Sequence, residues 1–175
     1  MRLFFALWPG VRTRALLTRA AAAVHVTDDA RRVPPENYHL TLAFVGEVDD
    51  IGAIQRFGRE FRGEACTFVL DRLEHWAQPQ LLVATVRAIP PALMELTARL
   101  HCDAALRAAR VPWRAHVTIA RKVAQAPVLQ AMSAIRWRAF SFSLVRSDTG
   151  SVRSVYTVVG RWPLLYGARN PTKSP

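Results

Sequence analysis

Polar and apolar positions along the chain change their period several times, and each change marks an element. Leu3 to Trp8 is a short aromatic-rich apolar run closed by Pro9-Gly10, which predicts an opening β-strand. Val11 to Val24 holds helix-forming Ala, Leu and Arg, with Leu16 and Leu17 on one side, and predicts a helix. The polar stretch from Asp28 to Glu36 contains Pro34-Pro35 and reads as a loop. Tyr38 to Val45 then alternates up to Gly46, as a half-buried strand does. Asp49-Asp50 can cap a helix running to about Arg62, with Ile51, Ile54, Phe57 and Phe61 at helical spacing. Strands over Cys66 to Trp76 and Leu81 to Ala88 follow, split by Gln78-Pro79.

The second half repeats this grammar. Pro90-Pro91 opens a helix through Leu93, Leu96, Leu100, Ala104 and Leu106, with proline where a first turn tolerates it. Val111-Pro112 ends that helix, and Arg114 to Arg121 predicts a strand. Ala126 to Ile135 reads as a short helix. Phe140 to Arg146 and Val152 to Arg161 alternate as two strands joined by a turn at Ser147-Asp148-Thr149-Gly150-Ser151. Strand, helix and a histidine-bearing strand thus occur twice with no linker between. The expectation is an α+β fold of two pseudo-symmetric lobes, each an antiparallel sheet with helices on its outer side. One bilobal domain would span residues 1–175, with a polar tail from about Gly167.

Composition changes this picture in one respect. The chain carries 24 basic and 13 acidic residues, a net charge of +11, and 22 of the basic residues are arginine. Genomic bias accounts for Arg over Lys better than for basic over acidic. The excess therefore points to a polyanionic partner, whose phosphate oxygens suit the planar guanidinium fork. No apolar run reaches the roughly 20 residues of a membrane helix, and the opening segment is too short for a signal peptide. A cytoplasmic monomer with Cys66 and Cys102 as reduced thiols is the expectation.

Two segments stand out against each other: His39-Leu40-Thr41-Leu42 and His116-Val117-Thr118-Ile119. Both read His-x-Thr-aliphatic, and both fall inside predicted strands. Side chains alternate across a strand, so each His shares a face with its Thr while the aliphatic residues anchor the other face. One His-x-Thr means nothing; a matched pair, one per half, is a strong signal. Opening a cyclic phosphodiester needs a base for water and an acid for the departing ribose oxygen, and imidazole serves either role near neutrality. Thr41 and Thr118 would offer hydroxyls to the non-bridging phosphate oxygens. Arg121 lies five residues beyond His116 and falls on the opposite face of a regular strand; a bend at the strand end would turn it inward.

These residues resemble the two-histidine phosphoesterases, and within them the RNA 2′,3′-cyclic phosphodiesterases once described as 2′-5′ RNA ligases. The likeness begins with Arg2-Leu3-Phe4-Phe5-Ala6-Leu7 and runs on through Val33-Pro34-Pro35-Glu36-Asn37-Tyr38 and the first motif to Val48. It resumes from Trp113-Arg114-Ala115 through the second motif to Arg121, and ends with Tyr156 and Gly160-Arg161-Trp162-Pro163-Leu164. Tyr38 and Ile119 stand where leucine is more usual, and Arg114-Ala115 replaces a common proline. The resemblance implies a pseudo-twofold pair of lobes with the His-x-Thr strands facing a central cleft. It implies hydrolysis of a terminal 2′,3′-cyclic phosphate on RNA to a 2′-phosphate, with no cofactor and no metal. His39 and His116 would be the acid–base pair, His116 toward water and His39 toward the 3′-oxygen. Thr41, Thr118 and Arg121 would hold the phosphate, and Phe44 would meet the terminal base.

Plainer readings stand beside these. Regular alternation puts Phe44 with Leu40 and Leu42 on the buried face, against the contact the resemblance implies. Arg31 and Arg32 sit on the loop before the first motif, where they either reach RNA or remain solvated charge. His101 lies with Met94 and Thr97 on a helical stripe and reads as packing; His25 and His75 read as surface or loop-edge residues. Asp71, Glu74 and Asp103 read as solvated surface. Two histidines without neighbouring acidic or thiol ligands leave too few donors for zinc. The competing functions are an RNA-binding module without chemistry, and a cleft of this kind acting on 2′-5′ linkages or a small cyclic phosphate. No Gly-x-x-x-x-Gly-Lys-Ser/Thr motif marks an ATP site.

Overall fold

The computed structural model describes residues 2–48, 50–102, 113–149 and 154–165. Its elements in chain order are β1 (Arg2–Leu7), α1 (Val11–Ala22), β2 (Arg31–Arg32), a 3-10 turn at Pro35–Asn37, β3 (Leu40–Glu47), α2 (Ile51–Glu60), β4 (Cys66–Trp76) and β5 (Leu81–Val86). α3 (Pro91–Cys102), β6 (His116–Arg121), β7 (Ile135–Ala139), β8 (Ser141–Thr149) and β9 (Ser154–Pro163) follow. The strands form one antiparallel sheet in the order β7-β4-β5-β6-β3-β1-β8-β9, with β2 paired to β6.

Two four-stranded arms meet where β3 and β6 pair, and that junction consists of the single pair Leu40·Val117. Outward from it, the arms are β3-β1-β8-β9 and β6-β5-β4-β7. The two lobes are therefore not the two halves of the sequence: the C-terminal hairpin β8–β9 completes the lobe of the first histidine motif. The helices cross over as well. α1 leaves β1 and packs on β7, while α3 leaves β5 and packs on β3.

Helices and main core share one face of the sheet. Leu40, Leu42, Val117, Ile119, Leu82, Phe68, Leu70, Trp137, Phe142 and Leu144 are buried there, with Leu17, Ile54, Leu93 and Leu96 from the three helices. α2 is started by Asp50, whose side chain accepts from the Gly52 amide at 2.8 Å, an N-cap that satisfies one orphan donor. α2 and β9 approach closely across the Trp162 indole; a Cβ on Gly58 or Gly160 would come within 2.5 and 2.4 Å of that ring. A second, smaller cluster of Phe4, Ala6 and Val145, with Trp8 and Tyr156 packed on it, lies on the other face.

One predicted element is overturned. Ala126 to Ala134 has no helical structure, and Ile135–Ala139 is strand β7. The segment puts Pro127 at its start and leaves Val128 88% exposed, so no continuous apolar helical face exists to bury. Ile135, Trp137 and Ala139 are instead buried against β4, while Arg136 and Arg138 point to solvent. The expected turn at Ser147–Ser151 also shifts: Ser147, Asp148 and Thr149 pair within β8, and Gly150 and Ser151 lie outside the described residues, as do Ala104 and Leu106 of the predicted third helix. Cys66 carries a free, buried thiol, whose pKa burial pushes up to about 11. Among the described residues no helix is long and apolar enough to cross a membrane.

Candidate active site

The two His-x-Thr segments become neighbours because their central residues, Leu40 and Val117, are the pair that joins the lobes. An antiparallel register through that pair sets His39 beside Thr118 and His116 beside Thr41, with the imidazoles on the diagonal. Diagonal positions in a regular ladder are roughly 7–8 Å apart, enough to seat a phosphate between two rings. Leu40 and Val117 are fully buried, so all four polar side chains project from the bare face. Trp113, just before β6, donates its Nε1–H to the Thr41 carbonyl at 2.9 Å and ties the lobes together.

The imidazoles are held alike. His39 Nδ1 lies 2.7 Å from the Asn37 carbonyl, and His116 Nδ1 lies 2.7 Å from the Arg114 carbonyl. A carbonyl oxygen only accepts, so each Nδ1 carries the hydrogen, and each neutral ring presents Nε2 as the free lone pair. Each ring can thus take a proton at Nε2 or, once charged, give one from there.

Their surroundings differ. His39 stacks on Trp8 with centroids 5.2 Å apart and rings 12° from parallel, and also meets Phe4 at 5.0 Å and the edge of Tyr156 at 5.1 Å. Burial in this cage pushes its pKa down to about 4, against a raising contribution from the Asn37 carbonyl. Among the described residues, the one ring that meets His116 is Trp76, at 4.6 Å. Burial again lowers its pKa, and the charges of Arg114 and Arg121 push the same way.

Beneath His116 lies a network that the sequence reading placed in solvent. Glu74 accepts from Trp76 Nε1, Thr85 Oγ1 and the Arg114 guanidinium, all at 2.9 Å. The Arg114 guanidinium also covers the Trp76 ring, 4.2 Å from its centroid. Partial burial would raise the Glu74 carboxyl, but the hydrogen bonds from Trp76 and Thr85 and the charges of Arg114 and Arg72 win and hold it low. The alternation Arg72, Glu74, Trp76 along β4 was the available signal, since Glu74 lies opposite Val83 and Trp76 opposite Leu81. Nothing comparable marks Trp8, Phe4 and Tyr156: β1 and the residue after it deliver the first two to His39, and β9 delivers the third.

Arg121 and Phe44 both sit where regular alternation does not put them. In β6 the register against β5 slips so that Thr118 pairs with Val83 and Ala120 with Leu82, leaving Ile119 as an extra residue. In β3 the register against β1 slips in the same way: Thr41 pairs with Ala6, Ala43 with Phe5, and Leu42 is extra. Each bulge buries two consecutive residues and resets the alternation. Arg121 therefore returns to the face of His116 and Thr118, and its charge reaches both imidazoles. Phe44 likewise returns to the face of His39 and Thr41; it is 61% exposed rather than core, 6.2 Å from the Phe4 ring. A second slip at Val45 is turned by Gly46 at φ +87°, a conformation that favours glycine.

The remaining candidates separate. Arg31 is exposed and lies opposite Arg121 in the β2–β6 ladder. Arg32 is committed elsewhere: its guanidinium donates to the Ala21 and Val24 carbonyls, both at 2.6 Å, at the C-terminal end of α1. His75 is half-buried in β4 and bonds the Val123 carbonyl at 2.8 Å, and His101 bonds the Thr97 carbonyl at 2.8 Å. Among the described residues no three His, Cys, Asp or Glu side chains converge on a point that could hold a metal ion. A cavity of about 280 Å³ between α1 and residues 130–135 is on the helical face, away from both histidines.

Mirrored His-x-Thr strands at the crease of one antiparallel sheet are the arrangement that the resemblance to two-histidine phosphoesterases implies. Residues 9–82 match the family model described as LigT like Phosphoesterase, a span that includes the first motif. Two relatives named RNA 2′,3′-cyclic phosphodiesterase cover nearly all of it. The one from Escherichia coli (strain K12) is 28% identical over 93% of this chain and 96% of its own. The one from Thermus thermophilus is 29% identical over 94% and 90%. Among solved structures, E. coli LigT complexed with 3′-AMP superposes with a TM-score of 0.84 at 28% identity, covering 93% of this chain and 97% of that one.

Proposed function

We propose that the chain hydrolyses RNA ends bearing a 2′,3′-cyclic phosphate to 2′-phosphates without a metal ion, using His39 and His116 as acid and base. The observation that carries this reading is the mirrored pair of imidazoles, each pinned through Nδ1 to a carbonyl two residues upstream so that both Nε2 atoms are free on one face. With phosphorus between them, the neutral ring removes a proton from water as the oxygen attacks. The charged ring gives its Nε2 proton to the ribose 3′-oxygen as the P–O3′ bond breaks. One proton enters the base and one leaves the acid, so a proton exchange with solvent resets the site. Thr41, Thr118 and Arg121 donate to the non-bridging oxygens as charge builds on them.

The surroundings favour His116 as the base, because the nearby Arg114 and Arg121 charges disfavour its protonated form. His39 suits the acid: the π faces of Trp8 and Phe4 can hold an imidazolium once the phosphate brings its negative charge, and a low intrinsic pKa makes it a ready donor.

The test is turnover, with EDTA present, of a short RNA ending in a 2′,3′-cyclic phosphate. His39→Ala and His116→Ala are each expected to lose ~100-fold or more. A substrate with sulfur in place of the 3′-bridging oxygen needs little protonation to leave, so it should rescue His39→Ala and not His116→Ala. Rescue of the other variant reverses the roles. RNA binding without turnover would favour a binding module. Turnover confined to cyclic mononucleotides or 2′-5′ linkages would move the substrate assignment.

A further inference from the structure

The bare face of the sheet is chemically divided, and the division extends well beyond the histidines. In the lobe of β3, register places Phe44 opposite Phe4, Phe4 opposite Val145, and Val145 opposite Val158. With Trp8 and Tyr156, that row is aromatic and apolar, and the neighbouring row of Ala6, Ser143 and Arg161 adds a single guanidinium at the far strand. In the lobe of β6 the same tracing gives a different surface. Thr85 lies opposite His116 and Arg72 opposite Thr85, which brings the bare face onto β4. Further along β4 the core residues are Cys66, Phe68 and Leu70, so the alternate residues Thr67 and Val69 face outward, and Arg138 and Arg136 of β7 lie opposite them.

We propose that this basic surface, from Arg114 and Arg72 out to Arg136 and Arg138, is a track for the phosphate backbone of single-stranded RNA leading to the reacting end. The proposal rests on the reading that the cleft takes RNA. Arg72 and Arg114 are partly neutralised by Asp71 and Glu74. Among the described residues no acidic group lies within ion-pair distance of Arg136 or Arg138, so their charge is available to a partner. β7 is an edge strand only five residues long, and charges on such a strand can equally serve to block edge-to-edge pairing. Two features favour the track. The arginines lie on the histidine face rather than along the open edge, and they continue a line of positive side chains from the site. Backbone contacts of this kind give affinity without sequence preference and weaken with salt.

The experiment measures binding of an RNA of about ten nucleotides carrying a 2′-phosphate end, by fluorescence anisotropy across a salt series, alongside turnover of the matching cyclic end. Arg136→Ser/Arg138→Ser should weaken binding roughly tenfold at low salt and flatten the log–log salt slope by about 1.4, as expected for two lost contacts to a single strand. Arg136→Lys/Arg138→Lys should retain most of the affinity. Arg12→Ser/Arg59→Ser removes the same charge from the outer faces of α1 and α2 and should bind like wild type. If the β7 serine pair binds like wild type, or the helix pair loses as much, the track is wrong. Turnover of the cyclic end with unaltered binding would sink the track and leave the function standing. Loss of binding in the β7 variant of a protein that never turns over the cyclic end would do the reverse. If the double serine variant fails to fold, Arg138→Ser alone carries the same expectation with a slope change of about 0.7.

Discussion

Phe44 and Arg121 occupy equivalent positions: each stands five residues beyond its histidine, past a bulge that buries two residues and returns the chain to the histidine face. The equivalence is positional, not chemical. One arm ends its motif with an exposed aromatic ring and the other with a guanidinium, so a symmetric scaffold presents an asymmetric site. A nucleotide end has the same asymmetry, with a flat base on one side of the ribose and an anionic phosphate on the other. The division of the surrounding surface into an aromatic half and a basic half follows the same sense.

Substitutions at these two positions should therefore fail differently. Arg121→Ala is expected to lower kcat by roughly 100-fold, because its charge serves the developing phosphorane more than the ground state. Arg121→Lys should recover only part of that, since a point charge lacks the planar fork. Phe44→Ala is expected to raise KM by about tenfold with kcat little altered, as loss of a stacking platform does. The discriminating measurement is a substrate lacking the terminal base, for which Phe44→Ala and wild type should perform alike. If Phe44→Ala lowers kcat on that substrate too, the ring is part of the catalytic framework instead.

How legible this site was depends on which residue is asked about. The His-x-Thr pairs were readable because two-residue periodicity is local: His39 and Thr41 must share a face wherever the strand goes. Phe44 and Arg121 were not, because a bulge is a tertiary event set by how β1 and β5 pair with β3 and β6. The one local hint is that both motifs continue with alanine, Ala43 and Ala120, at the buried second position of the bulge. The alternation Ile135-Arg136-Trp137-Arg138-Ala139 was equally visible as a strand, but a helical reading of the preceding residues absorbed its start. That the lobes interleave, with β8–β9 returning to β1, is long-range pairing that no window of sequence contains.

Glu74 is expected to act on chemistry through His116 rather than on substrate. It holds Trp76 and Arg114 together, and those two hold the ring face and the Nδ1 partner of His116. Glu74→Ala should lower kcat by about tenfold while changing KM little. It should also move the His116 titration to lower pH, because Arg114 loses its counter-charge beside the imidazole. Glu74→Gln keeps an acceptor for Trp76 or Thr85 and should fall between. NMR titration of the His116 ring is the decisive readout: an unmoved titration with lost activity would mean Glu74 supports the fold alone.

Arg32 separates from Arg31 in the same manner. Its two bonds to carbonyls at the end of α1 combine a charge-assisted cap with a favourable helix-dipole interaction. Arg32→Ala should cost on the order of 1–2 kcal/mol of stability and lower Tm by several degrees, with kcat/KM unchanged at a temperature where the variant is folded. Arg31→Ala should leave Tm alone and weaken RNA binding, since Arg31 is exposed beside Arg121. Thermal melts with matched kinetics would expose any exchange of these roles.

His39 also couples the site to acid stability, and the sign follows from its burial. In the unfolded chain the imidazole titrates near 6.5, whereas in the aromatic cage it titrates at about 4. Between those values the unfolded state binds more protons, so folding stability falls as pH drops from about 6.5 toward 4. Above 6.5 the neutral ring is common to both states and contributes no pH dependence. At ~1.4 kcal/mol per pH unit the loss from this one group reaches roughly 3 kcal/mol at most, a large share of a small domain's stability. His39→Phe keeps an aromatic ring among Phe4, Trp8 and Tyr156 but cannot take up a proton, so it should flatten the stability profile between pH 4 and 6.5. His116→Phe should flatten it less, since His116 is the less enclosed ring. Denaturant melts at half-unit pH steps on the three proteins would decide the matter. Parallel profiles for wild type and His39→Phe would show that His39 is protonated in the folded protein as readily as in the unfolded one, and the cage would then not be what keeps the free site neutral.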